Sequence, residues 1–191
     1  MNIGGIIRYV YVTFWVAFAL FIPIILLRHK LTKGRLKNDS WKHEIACIFF
    51  IFYLLSLYQI TAFRFGGLGW DFESMLQRRT RVNDEPLALL WDWTINGVWW
   101  HLFYNVVGNC IWFVPLGLMM PAIYREFRGN VLLVMFIGMA VSSSIEVLQY
   151  IFCTGVTDID DVIFNTIGTG MGYLLWYLFE KLRSKPDYQG N

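Results

Sequence analysis

Residues 131–153 read VLLVMFIGMAVSSSIEVLQYIFC, an apolar run that contains one charged residue, Glu146. A helix needs about 20 apolar residues to cross the hydrocarbon core of a bilayer. The composition of the chain agrees with a membrane protein, since 57% of its 191 residues are hydrophobic and 16% are charged. A soluble domain usually carries about a quarter charged residues to keep its surface wet.

Four further apolar runs lie outward from this stretch, over residues 9–27, 45–63, 102–124 and 162–179. None of them contains an acidic or basic residue. The sequence therefore predicts an all-α integral membrane protein with a bundle of about five transmembrane helices. No small-residue cleavage site follows the first run, so we expect it to be retained as an anchor.

Basic residues accumulate in three segments that lie on one side of a five-span chain. These eleven are Arg28, Lys30, Lys33, Arg35, Lys37, Lys42, Arg125, Arg128, Lys181, Arg183 and Lys185. The other side carries five, and positive charge marks the cytoplasmic side. We therefore expect the N-terminus outside and the C-terminus in the cytoplasm.

The predicted spans and the distribution of charge divide the chain into four segments. Residues 1–63 form a two-helix membrane segment with a basic cytoplasmic loop at 28–43. Residues 64–101 form a Trp-rich loop outside the membrane or at its interface, 102–181 a three-helix core, and 182–191 a cytoplasmic tail. Tryptophan favours the headgroup level, so residues 85–93, EPLALLWDW, predict a short interfacial helix or a re-entrant turn. This element is either a lid over a site or a packing element.

A polar cluster is the unusual chemical feature of the sequence. Glu146 is the single ionisable residue in any span, and such a residue needs a partner or a function. Helical spacing places Ser142 and Gln149 on the same helix face as Glu146. We expect nine residues to meet near the outer ends of the last three spans: Asn105, Asn109, Ser142, Glu146, Gln149, Asp158, Asp160, Asp161 and Asn165.

Structural explanations for these residues stay open beside the functional one. Asp158 could cap the last helix, and Asp160 and Asp161 would suit its first turn because the helix dipole favours acidic groups there. Asparagines within spans often bond between helices. Gly168 and Gly172, with Gly170, fit a close helix contact, and Gly138 with Ser142 fits another.

Several short motifs in this region resemble the VanZ family. They are Asn109 with FVPLG at 113–117, Ser142 with Ile145, Glu146 and Gln149, DIDDV at 158–162, NTIG at 165–168, and Gly172 with Tyr173. The resemblance covers about residues 105–175. It implies a bacterial, mostly Gram-positive, multi-pass plasma-membrane protein associated with resistance to glycopeptide antibiotics such as teicoplanin. It implies no agreed reaction.

Two hypotheses about function follow. The chain could bind or shield a lipid-anchored ligand, such as a membrane lipid, a lipid-linked cell-wall precursor or a lipoglycopeptide, through amide and carboxylate hydrogen bonds. Alternatively, it could be an outer-leaflet enzyme in which Glu146 acts as acid or base. Asp158, Asp160 or Asp161 would then be its partner or ligands of a divalent cation, and Glu146, Asp160 and Asp161 are the candidate catalytic residues. Carboxylate and amide oxygens suit Mg²⁺ or Ca²⁺ better than zinc.

Other classes of function receive less support from the sequence. A transporter is disfavoured, because no inverted repeat is present. Nucleic-acid binding is not expected, since topology already explains the basic residues. The Gly-rich last helix leaves a homodimer open, and three cysteines without paired spacing predict no disulfide framework.

Overall fold

The computed structural model describes residues 15, 18–27, 30, 41–62 and 82–184. The expected basic loop and tail lie largely outside these residues, as do much of the first apolar run and residues 63–81. The described elements, in chain order, are α1 (Phe18–Leu27), α2 (Trp41–Thr61), β1 (Val82–Asn83), α3 (Ala88–Ile95), α4 (Trp99–Ile123), a 3-10 turn (Arg125–Phe127), α5 (Val131–Phe152), β2 (Thr157–Asp158) and α6 (Ile159–Arg183).

Four of the described helices are long and apolar enough to cross a membrane. The qualifying segments are Lys42–Thr61, Asn105–Ile123, Val131–Phe152 and Ile159–Arg183, and Phe18–Leu27 is a shorter apolar helix. Large apolar side chains point outward, as at Leu132, 74% exposed, and Trp100, 73% exposed. Lipid, unlike water, tolerates such a surface, because its chains are as apolar as leucine. The predicted all-α membrane fold is confirmed, while the orientation stays a prediction.

A capping side chain and residues with left-handed backbone conformations mark the two ends of α5. Gly129 adopts a left-handed φ of 84° in the turn before the helix, and the side-chain oxygen of Asn130 accepts a hydrogen bond from the backbone N–H of Leu133 at 3.0 Å. This is the usual way to cap a helix N-terminus. At the other end Cys153 takes a left-handed φ of 51°, which closes the helix one residue earlier than the apolar run predicts.

The chain divides into two compact units. The first comprises Met1–Asp84 and Ser144–Asp158, and the second comprises Glu85–Ser143 and Ile159–Asn191. The boundary falls within α5, between Ser143 and Ser144, and again just before α6.

In the first unit, hydrogen bonds join α2 to the second half of α5 and the chain that follows it. The hydroxyls of Tyr58 and Ser144 lie 2.6 Å apart, and the hydroxyl of Thr154 donates to the carbonyl of Ala62 at 2.6 Å. β1 and β2 pair in parallel, with Val82 opposite Thr157. This two-residue pairing was not predicted, because its strands are too short to have a period and lie far apart in sequence.

In the second unit, α4 packs along α6 through glycines. A Cβ atom added at Gly168 would overlap the carbonyl oxygen of Cys110, and one added at Gly172 would overlap that of Val114. Gly117 on α4 makes the reciprocal approach to the backbone of Thr169. The predicted contact through Gly168 and Gly172 is therefore confirmed. The predicted Gly138 contact is also present, against the side chain of Thr169.

The expected short helix before the third span is present as α3. It begins at Ala88 and ends at Ile95, and α4 then begins at Trp99, three residues earlier than predicted. Leu87, at the N-terminal boundary of α3, has a φ of 62°, a region that residues other than glycine seldom adopt. The short helix is thus entered through an unfavourable backbone conformation that neighbouring contacts must hold in place.

Candidate functional site

The predicted polar residues are distributed over the two units, and each unit holds its own cluster. The first-unit cluster contains Glu146, Gln149 and Asp158 together with Asn83. The second-unit cluster contains Asn109, Ser142, Asp160, Asp161 and Asn165 together with the backbone of Leu87.

Glu146 is the centre of the first-unit cluster. It is only 5% exposed, and its Oε2 accepts a hydrogen bond from the backbone N–H of Asp158 at 2.8 Å. The hydroxyl of Thr157 donates to the carbonyl of Glu146 at 3.4 Å. The buried carboxylate therefore satisfies the backbone N–H of Asp158. This hydrogen bond holds the chain segment that leads into α6.

Asp158 is fixed by a residue that the sequence alone did not single out. Its Oδ1 accepts a hydrogen bond from the side-chain amide of Asn83 at 2.9 Å, beside the β1–β2 pairing. Asn83 precedes α3 by only a few residues but lies 75 positions from Asp158. Periodicity offers no signal for such a contact, because it depends on how the loop folds back.

Gln149 has a structural role within the first unit. Its side-chain nitrogen donates to the carbonyl of Thr61 at 3.2 Å, at the last residue of α2. A Cβ atom added at Gly155 would lie 2.9 Å from the Gln149 Oε1. The buried amide thus satisfies a terminal carbonyl of α2 and packs against a glycine.

Asp160 and Asp161 lie in the first turn of α6, as expected from their position in the sequence. Asp160 Oδ1 accepts a hydrogen bond from the backbone N–H of Leu87 at 2.7 Å. This contact ties the strained entry of α3 to the start of α6. It was missed in the sequence because the donor is a main-chain group.

Asp161 pairs with α4. The side-chain amide of Asn109 donates to Asp161 Oδ1 in a short hydrogen bond. Asn105, one turn earlier on α4, is half-buried, and no described residue hydrogen-bonds to its side chain. The structure therefore brings Asn109 to the acidic end of α6 but gives Asn105 no such contact.

Ser142 and Asn165 form a buried pair in the second-unit cluster. The Asn165 amide donates to Ser142 Oγ at 2.8 Å, and the hydroxyl of Thr169 donates to the carbonyl of Asn165 at 2.9 Å. Asn165 is 6% exposed, yet its Oδ1 receives no hydrogen bond from any residue that the structure describes. A buried acceptor without a donor costs about 1–3 kcal/mol, so this oxygen calls for an explanation.

The clusters contain carboxylate oxygens that accept hydrogen bonds. Among the described parts of the chain, no three His, Cys, Asp or Glu side chains come together in a group that could hold a metal ion. The donors that the structure assigns to the predicted carboxylates are main-chain N–H groups and asparagine amides. This chemistry suits the recognition of hydroxyl and amide groups.

Comparison with known proteins extends the resemblance beyond the last three spans. The family model described as VanZ/LLP1 matches residues 50–180, more than two thirds of the chain. Protein VanZ from Enterococcus faecium is 37% identical over 79 residues, which cover 41% of this chain and 48% of that protein. The match thus spans about half the length of this relative, and no solved structure matches the chain. The family match also includes the helices that carry both polar clusters. Because the family model matches well over half of the chain, this chain belongs to the VanZ/LLP1 family.

Proposed function

We propose that this protein crosses the bacterial plasma membrane several times and uses the second-unit cluster at the outer face to bind the polar part of a lipid-anchored ligand. No bond is made or broken. Binding or shielding such a ligand lowers susceptibility to lipoglycopeptide antibiotics such as teicoplanin. The occupant is a lipid-linked wall precursor or the antibiotic itself, since both combine an acyl chain with sugar hydroxyls and peptide N–H groups.

Asn165 carries the proposal. Its amide nitrogen donates a hydrogen bond to Ser142 Oγ, whereas its buried Oδ1 accepts no hydrogen bond from the described residues. Native proteins seldom leave a buried polar atom unsatisfied without a reason. Because this oxygen is buried, a ligand reaches it only when neighbouring side chains move, and a ligand hydroxyl or N–H group would then satisfy the oxygen and recover the cost of burying it.

The neighbours of Asn165 on α6 support a ligand that donates hydrogen bonds. Asp160 and Asp161 precede it by about one turn at the same end of the helix, and ionised carboxylates only accept hydrogen bonds. The first-unit residues Glu146, Gln149 and Asp158 remain predicted ligand-binding residues. Asn105 remains one as well, on the basis of its sequence position alone.

The enzyme hypothesis assigns a different role to the carboxylates. It requires proton transfer by Glu146, or a divalent cation held by Asp158, Asp160 and Asp161. The buried Glu146 carboxylate is compatible with it, and a cofactor would belong only to this alternative. Its distinguishing requirement is carboxylate chemistry, which an amide at position 146 cannot supply.

Replacing the unsatisfied acceptor tests the binding proposal directly. We expect Asn165→Leu, which keeps the side-chain volume but cannot hydrogen-bond, to return a teicoplanin-susceptible Gram-positive host to its original inhibitory concentration. Thr166→Val is the matched control, because among the described residues the Thr166 hydroxyl bonds only within its own helix, to the carbonyl of Val162. It should keep full protection.

Two measurements separate loss of binding from loss of folding. Well-folded variants should show equal membrane levels by immunoblot and a single symmetric elution peak in mild detergent. Full protection by well-folded Asn165→Leu would contradict the proposal. Equal loss in the Thr166→Val control would also count against it, because that variant leaves the cluster intact.

A further inference from the structure

A cavity lies in the second unit, at the C-terminal ends of α4 and α6. Its volume is about 740 Å³, and it is lined by residues that include Leu118, Arg128, Trp176, Phe179, Glu180 and Arg183. Asp161 and Arg183 are 22 residues apart on α6, which corresponds to about 33 Å along the helix. The cavity is therefore separate from the polar cluster at the helix start.

Arg128 is held in a fixed position at the rim of this cavity. Its Nε donates to the carbonyl of Pro121 at 2.9 Å and its Nη2 to that of Ala122 at 3.3 Å, at the end of α4. The guanidinium carbon lies 5.9 Å from the centre of the Trp176 ring. The adjacent backbone N–H of Gly129 donates to the Tyr173 hydroxyl at 2.9 Å. These contacts orient one edge of the guanidinium and leave Nη1 without an acceptor among the described residues.

The remaining charges of the cavity come from one face of α6. Trp176, Glu180 and Arg183 follow each other at spacings of four and three residues, so they lie on the same side of the helix. In the described part of the chain, neither Arg128 nor Arg183 forms an ion pair. Two arginines and one glutamate give the cavity a net positive charge.

Apolar surface adjoins these charges. The Phe179 side chain is 65% exposed, and Leu118 also presents an exposed apolar side chain, whereas Trp176 is buried. The cavity combines the fixed Arg128 guanidinium and the exposed Arg183 guanidinium with an apolar wall at the end of membrane-spanning helices, which matches the two parts of a phospholipid. Guanidinium groups bind phosphate oxygens through paired, charge-assisted hydrogen bonds.

We propose that this cavity binds the phosphate group of an anionic phospholipid, with Arg128 and Arg183 on the headgroup and an acyl chain along Leu118 and Phe179. Trp176 supports the Arg128 guanidinium from below. Glu180 sets a preference for headgroups that also carry hydroxyl donors. The proposal does not depend on the role of the polar cluster at the other end of α6.

Lipid binding to the full chain in a neutral maltoside detergent tests this assignment. In native mass spectrometry titrations, we expect phosphatidylglycerol to bind at least about tenfold more tightly than phosphatidylcholine of the same chain length. Arg183→Gln should remove about tenfold of that affinity. Arg125→Gln and Lys181→Gln are matched controls, because each removes one positive charge near the same helix ends from a residue that does not line the cavity. Both variants should bind phosphatidylglycerol as wild type does.

Three results would overturn the proposal. Equal binding of the two lipids would show that the arginines do not select charge. Equal loss in Arg183→Gln and in the two controls would show only general attraction. Binding of inorganic phosphate or glycerol phosphate as tight as that of the lipid, with the same dependence on Arg183, would make free phosphate the ligand. Since Arg183 is exposed at the end of α6, its variant remains informative even if Arg128→Gln fails to fold.

Discussion

Gly172 on α6 offers the sharpest test of the packing that supports the polar cluster. In Gly172→Ala, the added methyl group would overlap the carbonyl oxygen of Val114 and lie 2.9 Å from the backbone nitrogen of Leu118. Carbon atoms in ordinary contact lie about 3.5–4.0 Å apart. The obstructing atoms belong to the backbone of α4, so no side-chain rotation can make room, and the two helices must separate.

The expected cost follows from this geometry. Overpacking a well-packed interior by one carbon costs about 1–3 kcal/mol, and the upper part of that range applies because both obstructing groups are main-chain atoms. A loss of about 3 kcal/mol lowers the folded-to-unfolded ratio roughly 100-fold. The opposing gain from alanine's better helix propensity is at most about 1 kcal/mol.

Two other glycines provide a graded comparison. A Cβ atom at Gly108 on α4 would meet nothing within 4 Å, and one at Gly170 would lie 3.2 Å from the Met135 sulfur, which belongs to a flexible side chain. We expect Gly108→Ala to be neutral or slightly stabilising, Gly170→Ala to be mildly destabilising, and Gly172→Ala to be the most destabilising. The measurement is the unfolding midpoint of purified protein in mild detergent titrated with sodium dodecyl sulfate. Equal midpoints for Gly172→Ala and Gly108→Ala would refute the close approach of α4 and α6.

The remaining predictions concern chemistry and orientation. Glu146→Gln keeps an oxygen that can accept the Asp158 N–H, so under the binding proposal it should retain most teicoplanin protection in susceptibility assays; complete loss at normal protein level would favour the enzyme alternative. Thr157→Cys, in a chain whose three native cysteines are replaced by serine, should react with an impermeant maleimide in intact cells, whereas Lys181→Cys should react only after lysis. The reverse labelling pattern would refute the outward orientation of the polar residues.

Much of the second-unit cluster could be predicted from local sequence. Asp160 and Asp161 were expected in the first turn of the last helix, and both lie there. A close helix contact through Gly168 and Gly172 was predicted from their four-residue spacing, and the structure confirms it and shows that the partner is α4. Both predictions succeed because a helix fixes which residues share a face before any partner is known.

Contacts that depend on distant segments could not be predicted. Asn83 reaches Asp158 across 75 positions, and the Leu87 N–H reaches Asp160 across 73. Their donors are a loop amide and a main-chain group, neither of which produces a periodic pattern. The cavity at Arg128 was also missed, because the arginine was explained by topology alone.

The sequence by itself determined that this is an all-α membrane protein, since a long apolar run can satisfy its backbone groups within its own segment only as a helix. Its short motifs also determined the VanZ/LLP1 family. Only the tertiary structure decided which acidic and amide groups already have partners. Asp161 accepts a hydrogen bond from Asn109, and among the described residues the Asn165 amide has a partner for its nitrogen but none for its oxygen. The physical reason is that hydrogen bonds require atoms to meet within about 3 Å, and such distances are set by helix packing rather than by spacing along the chain.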